Sequence, residues 1–409
     1  MNKLQNKKAI SIFIALCWLC YFASYFTRIN YAAVITEIVR DMGITKAAAA
    51  LATTGMSITY GVGQLISGVL GDRIRPRVLI SGGLIAAAVF NILMPLMPGV
   101  TGMVILWCLN GFAHAMLWPP LVRIMAENLD QANYRRACVA VSVASSVATI
   151  AIYLIIPLWI TLFNWRTMFF FCAAVGLACA LTWWIGSGKL GVDIAAAPVR
   201  QTVQAGTDVS ARRFPWMLLI PIMLAIVLQG ILRDGVTTWM PAYISEVFRL
   251  DTAVSILTAV ILPVFSILCY HSSAAVHRRL RNELLSAAVF FGVGLLAAVF
   301  MVFSGTSHAL PAAILMALIT GGMHGVNLML IGNLPTYFAK YGRISTVSGL
   351  LNSCTYVGSA MSTYGFAVLS EHFGWGFTIG SWVVVAGLGT LLCVLCVNAW
   401  KRFSAQAMK

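Results

Sequence analysis

Long apolar stretches recur along the whole chain and limit what it can fold into more than any other feature. Each is about 20 residues or longer, enough to cross the roughly 30 Å hydrocarbon core of a bilayer as an α-helix. Backbone groups in lipid must bond to one another, so such stretches are helical. The composition agrees, with 60% hydrophobic and 10% charged residues. We therefore predict an all-α membrane protein with twelve transmembrane helices, at 10–38, 47–70, 77–97, 101–126, 136–162, 166–186, 215–245, 252–276, 283–304, 309–337, 343–370 and 374–400.

The longest polar interruption, residues 187–214, divides the predicted spans into six and six. This division predicts an N-terminal six-helix bundle over 1–186, a cytoplasmic linker over 187–214 and a C-terminal six-helix bundle over 215–409.

Basic residues are concentrated on one side of the predicted spans. If both termini are cytoplasmic, the inner segments hold 21 of the 27 lysines and arginines, and the outer segments hold four. The positive-inside rule then places both termini in the cytoplasm, with the protein in the cytoplasmic membrane. The net charge of +15 follows from this topology. Nucleic-acid binding would need basic residues clustered on one folded face, so no nucleic-acid partner is expected.

Two arginines lie inside apolar stretches, where charge is costly. Arg28 lies in the first predicted span and Arg233 in the seventh. A charge at the centre of a spanning helix costs roughly 2.5–3.5 kcal/mol on insertion scales, and such residues normally face a bundle interior or a wet cavity. Tyr21 and Tyr25 share a helix face with Arg28. Because the forked guanidinium matches phosphate oxygens, the two arginines predict one central site for an anion.

A structural ion pair between helices is the alternative for Arg28. Asp234 is the only acidic residue well inside a predicted span. It directly follows Arg233 and so points about 100° away on the helix, and we do not expect it to be the partner of that arginine. The scarcity of acids favours the anion site.

The two halves of the chain show weak internal similarity. Residues 111–115 around His114 resemble residues 321–325 around His324, and the spacing of 210 between the histidines is close to the 205 between the arginines. Two similar halves with a binding site at the midplane are typical of secondary transporters.

A loop motif extends this similarity to a known family. Residues 68–77 include Gly68, Asp72, Arg73 and Arg77, and they resemble the conformational loop motif of the major facilitator superfamily. In this motif glycine permits close helix packing, and we expect Asp72 to pair with nearby arginines. The resemblance implies two pseudo-symmetric six-helix bundles.

Within the superfamily the chain is similar to the organophosphate:phosphate antiporters over nearly its whole length. That resemblance implies that Arg28 and Arg233 bind the substrate phosphate from the two halves. The most similar segments are residues 25–30, 117–123, 232–243 and 329–332.

Further polar residues inside predicted spans are candidates for the same cavity. For the two histidines, the alternative is a hydrogen-bonded position in the core. For the other polar residues, the alternative is hydrogen bonding between helices. The resemblance to the family favours a position in the cavity for Tyr60 and Tyr356. Besides the two arginines, Tyr21 and Tyr25, the candidates are His114, Tyr60, Gln64, Ser145, His324, Asn352 and Tyr356.

The chain departs from the family pattern at three of these candidates. Gln64 replaces a lysine, Ser145 replaces a histidine, and His114 stands where the family's glycerol-3-phosphate carriers have a glutamine. The loss of two cationic or protonatable groups predicts a smaller or less charged anion. The substrate of the glycerol-3-phosphate carriers is therefore not expected to be the substrate of this chain.

These features together predict a secondary transporter of a small anionic, phosphorylated solute, working by alternating access in exchange for inorganic phosphate. A proton-coupled symporter of sugar acids or other carboxylates is the first alternative, and a non-transporting sensor of a phosphorylated ligand is the second. The sequence contains no catalytic triad, paired carboxylates or metal-ligand cluster, so we expect neither an enzyme nor a cofactor. We expect a monomer.

Overall fold

All regular structure in the described part of the chain is helical. The computed structural model describes residues 4–192, 215–249, 260–304 and 308–407. Short 3₁₀ helices lie at Met94–Leu96 and Leu334–Tyr341, and a π-helical segment lies at Leu328–Asn333. The α-helices are α1 (Lys7–Ala33), α2 (Ile35–Met42), α3 (Lys46–Arg73), α4 (Pro76–Leu93), α5 (Val100–Ala115), α6 (Trp118–Asn128), α7 (Gln131–Leu162), α8 (Trp165–Leu190), α9 (Trp216–Phe248), α10 (Ile261–Leu280), α11 (Glu283–Ser304), α12 (Ala309–Asn327) and α13 (Ile344–Ala407).

These helices account for the twelve predicted spans. Within the described residues, nine helical stretches are long and apolar enough to cross a membrane. The last of them, α13, contains both span eleven and span twelve. A kink at Gly374, where the backbone leaves the helical region with φ 79° and ψ 173°, separates the two spans. Helices α3 and α10 correspond to spans two and eight. For span eight, residues 252–259 lie outside the described part of the chain.

The first predicted span ends earlier than expected. Helix α1 stops at Ala33, and Val34, with φ −107° and ψ 11°, leads into the separate short helix α2. Asp41, near the end of α2, pairs with Arg166 and accepts a hydrogen bond from the indole of Trp165 at 3.1 Å. These hydrogen bonds from Trp165 and Arg166 lower the pKa of the Asp41 carboxyl. Helix α2 is thereby joined to the start of α8.

The fourth predicted span is broken near its middle. Helix α5 ends at Ala115, and α6 begins at Trp118 with Pro119 and Pro120 in its first turn. Proline has no N–H to donate to the preceding turn and clashes with the carbonyl four residues before it. It is tolerated at the start of a helix, where that N–H has no partner in any case. The break therefore follows from the two prolines.

The tenth predicted span changes its helical type toward its end. Helix α12 continues into the π-helical segment and then into the 3₁₀ helix, which carries Pro335 in its first turn. The missing proline N–H explains why the regular α-helix does not continue.

The chain forms two compact units. The first contains α1 to α8 together with Arg343–Ser353 at the start of α13, and the second contains α9 to α12 and α13 from Cys354 onward. A buried aromatic core in the first unit includes Phe26, Tyr31 and Trp107. Residues 193–214 of the predicted linker, 187–214, lie outside the described residues. The domain bounds 1–186 and 215–409 therefore stay a prediction.

Candidate functional site

Arg28 lies against aromatic rings in the first unit. Its guanidinium carbon is 4.2 Å from the ring centroid of Tyr60 and 5.3 Å from that of Tyr25. The ring of Tyr21 packs against Tyr25 at 5.3 Å and against Trp118 at 5.1 Å. A guanidinium over an aromatic face gains cation–π energy, while its N–H groups lie in the guanidinium plane and point away from that face. The predicted residues Arg28, Tyr25, Tyr60 and Tyr21 thus form one cluster.

His114 lies beside the same turn of α1. Its Nε2 is 3.4 Å from the hydroxyl of Thr27, the residue that precedes Arg28, and the ring interacts electrostatically with Arg28. The imidazole is buried, and its Nδ1 has no hydrogen-bond partner among the described residues. His114 therefore combines a core hydrogen bond with a position close to the arginine.

The remaining candidates of the first unit differ in how their polar groups are used. Gln64 lies one turn after Tyr60 and is completely buried, and neither atom of its amide has a hydrogen-bond partner within the described ranges. Ser145 donates its hydroxyl to the carbonyl of Ser142 at 2.7 Å, which satisfies it within α7. Asn352 is buried in the first part of α13. Within the part of the chain that the structure describes, Gln64 is thus a buried amide without hydrogen-bond partners.

A buried asparagine network fixes the turn of α1 that carries Arg28. The carbonyl oxygen of Thr27 accepts hydrogen bonds from the side-chain amides of Asn91 at 2.9 Å and Asn110 at 3.1 Å. Asn30 donates to the side-chain oxygen of Asn91 at 2.7 Å. Hydrogen bonds between helices stabilise such packing in lipid. The sequence prediction missed these asparagines, although polar residues within three apolar stretches signalled them.

In the second unit Arg233 is paired with Asp234. The guanidinium Nε donates to Asp234 Oδ1 at 2.6 Å, and a terminal nitrogen donates to Oδ2 at 2.8 Å. The prediction that Asp234 is not the partner of Arg233 is therefore wrong. The long arginine side chain reaches around the helix, because an unpaired charge in a desolvated site costs more than an imperfect local geometry.

Other polar contacts hold the helices around this pair. His324 on α12 accepts or donates a 2.9 Å hydrogen bond through Nδ1 with the hydroxyl of Tyr270 on α10. Gln229, one turn before Arg233, donates to the carbonyl of Met323 at 3.1 Å and accepts from the hydroxyl of Thr355 at 3.3 Å. Tyr356, the next residue after Thr355, is half-buried. Gln229 therefore links α9, α12 and α13.

The loop motif makes contacts that differ from the expected ones. Asp72 accepts hydrogen bonds from the backbone amides of Ser345 at 2.9 Å and Thr346 at 2.8 Å, in the first turn of α13. Backbone amides at a helix N-terminus attract a carboxylate because they have no intrahelical acceptor. Asp72 thus caps α13, and it also interacts electrostatically with Arg123, one of the arginines near the motif.

The other motif residues surround this cap. A Cβ atom on Gly68 would lie 2.9 Å from the carbonyl oxygen of Ser345, so a glycine is required for the close approach. Arg77 donates to the carbonyl of Trp184 at 2.5 Å and stacks over its ring, with 4.0 Å to the centroid. Arg73 is exposed.

Comparison with known proteins identifies the family. The model of the Major Facilitator Superfamily matches residues 17–363. The chain belongs to the Major Facilitator Superfamily. It is therefore a multi-pass membrane protein of a transporter family and not an enzyme.

This major facilitator protein is similar to a membrane sensor protein and to a glycerol-3-phosphate transporter. It is 25% identical to the membrane sensor protein UhpC of Salmonella typhimurium, over 93% of this chain and 90% of that protein. It is 29% identical to the glycerol-3-phosphate transporter of Bacillus subtilis, over 43% of this chain and 40% of that protein. The proton:xylose symporter XylE has the same fold, with a TM-score of 0.75 at 12% identity over 95% of each chain.

Proposed function

We propose that this major facilitator protein carries a small phosphorylated anion across the membrane by alternating access, in exchange for inorganic phosphate. The observation that supports this most strongly is the cluster around Arg28, where the guanidinium lies over the rings of Tyr60 and Tyr25. Such a cluster holds the arginine fork in one orientation, which favours a tetrahedral oxyanion over a hydrated halide. A relative named as a glycerol-3-phosphate transporter supports the substrate class.

In this proposal Arg28 and Arg233 bind the same anion. His114, with its buried Nδ1, and Gln64, with its buried amide, would supply further polar contacts on the side of Arg28. Anion binding would lower the net positive charge of the site and so change the relative populations of the inward-open and outward-open states. A ligand shifts such an equilibrium only by its difference in affinity for the two states.

Exchange is tested with purified protein in liposomes loaded with inorganic phosphate. Labelled phosphate should enter loaded vesicles rapidly and unloaded vesicles slowly, and phosphate monoesters added outside should compete. Uptake that is independent of internal phosphate and is driven by an imposed proton gradient would contradict exchange. Uptake of a labelled sugar acid or other carboxylate that follows an imposed proton gradient would favour the symporter.

A second candidate function is that of a sensor that binds a phosphorylated ligand without transporting it. The similarity to UhpC favours it, because that match extends over 93% of this chain and 90% of the sensor. The same vesicles separate the two functions. Saturable phosphate-ester binding to the purified protein, with no counterflow in loaded vesicles, would establish the sensor and rule out the carrier.

A further inference from the structure

The arginine of the second unit already holds a carboxylate. Asp234 occupies Nε and one terminal nitrogen of Arg233 in a two-point contact at 2.6 and 2.8 Å. The side chains of Arg233 and Asp234 are 13% and 26% exposed, so the pair is largely withdrawn from solvent. The same two-point geometry is what a phosphate oxygen pair uses on an arginine. An anion that binds Arg233 through the same Nε edge must therefore take the place of Asp234.

The polar groups around Asp234 do not compensate for a second negative charge. His324 on α12 interacts electrostatically with both members of the pair, and its Nδ1 is hydrogen-bonded to Tyr270 on α10. Ser359 on α13 contributes a neutral hydroxyl to the carboxylate. In the described part of the second unit these groups, with Arg233, face Asp234. An anion placed beside an ionised Asp234 would meet strong repulsion, since like charges a few ångströms apart disfavour joint ionisation.

We propose that Asp234 makes anion binding proton-linked. As the anion replaces the carboxylate on Arg233, one proton from solvent adds to an oxygen of Asp234, and the aspartate becomes a neutral acid. The ion pair between Arg233 and Asp234 breaks, and an ion pair between Arg233 and the anion forms. No electron is transferred, and the added proton offsets one unit of the negative charge of the bound anion. This inference rests on the proposed function and specifies how Arg233 takes part in it.

Proton linkage has a consequence for exchange. If each bound anion is accompanied by one proton on Asp234, phosphate moving in one direction and an organophosphate moving in the other each carry that proton. In a one-for-one exchange the protons carried on Asp234 in the two directions cancel. The exchange still depends on pH, because pH changes the affinity of the protein for each anion. Net uptake without a counter-anion would instead be a symport of anion and proton.

The test measures the number of protons taken up when inorganic phosphate binds to the purified full-length protein. Calorimetric titrations at one pH in buffers of different ionisation enthalpy give that number. Wild type should take up about one more proton per phosphate than Asp234→Asn, because the titration of phosphate itself is common to both. Above neutral pH the affinity of wild type should fall up to about tenfold more per pH unit than that of Asp234→Asn.

Two further variants make the result specific. Glu246→Gln removes a carboxylate from the same helix, where Glu246 accepts a hydrogen bond from Trp375 at 2.8 Å, and it should take up as many protons as wild type. Asp234→Glu keeps the titratable group and should retain the extra proton.

The outcomes separate this inference from the function on which it rests. Phosphate binding with equal proton uptake in wild type and Asp234→Asn would overturn the role of Asp234 and leave the carrier intact. If Asp234→Asn does not bind phosphate, Asp234→Glu decides, and binding by that variant without the extra proton would overturn the inference. If wild type binds neither phosphate nor any phosphate ester, the proposed function fails and the inference fails with it.

Discussion

The two half-buried arginines have different surroundings at the scale of single residues. Arg28 contacts the faces of Tyr60 and Tyr25, whereas Arg233 is held by the carboxylate of Asp234. Both positions were identified from the sequence, because a guanidinium stands out in an apolar stretch. The groups that contact each guanidinium depend on side-chain conformation, which residue spacing does not determine.

Replacement of Arg28 by lysine tests the importance of the guanidinium shape. Lysine keeps the charge but loses the planar fork and the stacking over Tyr60, so we expect phosphate exchange to fall by roughly tenfold or more. Initial rates of counterflow in phosphate-loaded liposomes measure this. Arg166→Lys is the matched control, because Arg166 pairs with Asp41 away from the cluster, and its rates should match wild type. Near-normal exchange in Arg28→Lys would exclude the proposed role.

Gln64 offers a gain-of-affinity test. Its completely buried amide lacks hydrogen-bond partners among the described residues. A lysine at this position adds a positive charge, and Gln64→Lys should tighten the binding of doubly charged phosphate esters by roughly tenfold at moderate internal screening. Calorimetric titration measures the change. Gln64→Met, which has a similar volume and no amide, should fold with wild-type stability and show no such gain. Unchanged affinity for every ester in Gln64→Lys would remove Gln64 from the site.

At the scale of secondary-structure elements, the apolar pattern of the sequence predicts the spans but not where helices end or which helices contact each other. Pro119 and Pro120 start α6 and break the fourth span, an effect that could have been predicted from the chemistry of proline. The cap that Asp72 places on α13 could not have been predicted, because the residues that it joins are more than 270 positions apart in the sequence.

The cap predicts a local effect of Asp72→Ala. Without the carboxylate, the amides of Ser345 and Thr346 lose their acceptors, and the start of α13 should open more readily, at a cost of about 1–2 kcal/mol. Hydrogen exchange of peptides covering this turn should become faster by roughly tenfold. Arg73→Ala is the control, since Arg73 is exposed, and the same peptides should exchange as in wild type. Equal protection in Asp72→Ala would show that the cap is not a stabilising contact.

Two adjacent glycines of α4 test the close approach of α4 to α5. A Cβ atom on Gly83 would lie 2.8 Å from the carbonyl oxygen of Ala113, whereas a Cβ atom on Gly82 would have no neighbour within 4 Å. Gly83→Ala should therefore cost about 1–3 kcal/mol and lower the melting temperature in detergent. Gly82→Ala should leave it unchanged or raise it slightly, because alanine favours helix by roughly 1 kcal/mol. Equal melting temperatures for the two variants would contradict the packing described here.

At the scale of the whole molecule, the distribution of basic residues predicts the orientation in the membrane. With 21 of 27 lysines and arginines on the side of the termini, we expect both termini in the cytoplasm. A fluorescent protein fused after Lys409 should fluoresce in bacterial cells, and alkaline phosphatase fused at the same point should be inactive. Active phosphatase with no fluorescence would reverse the proposed orientation.

The sequence alone determined the class of fold, the number of spans and the positions of the two arginines within apolar stretches. Lipid leaves backbone groups no partner outside the helix, so the length and polarity of each stretch are sufficient for these predictions. Tertiary structure decided what each polar group bonds to. Arg233 turned to Asp234, Asp72 capped α13 and three asparagines fixed α1, because a buried polar group takes whichever partner the packing brings within reach, at any distance along the chain.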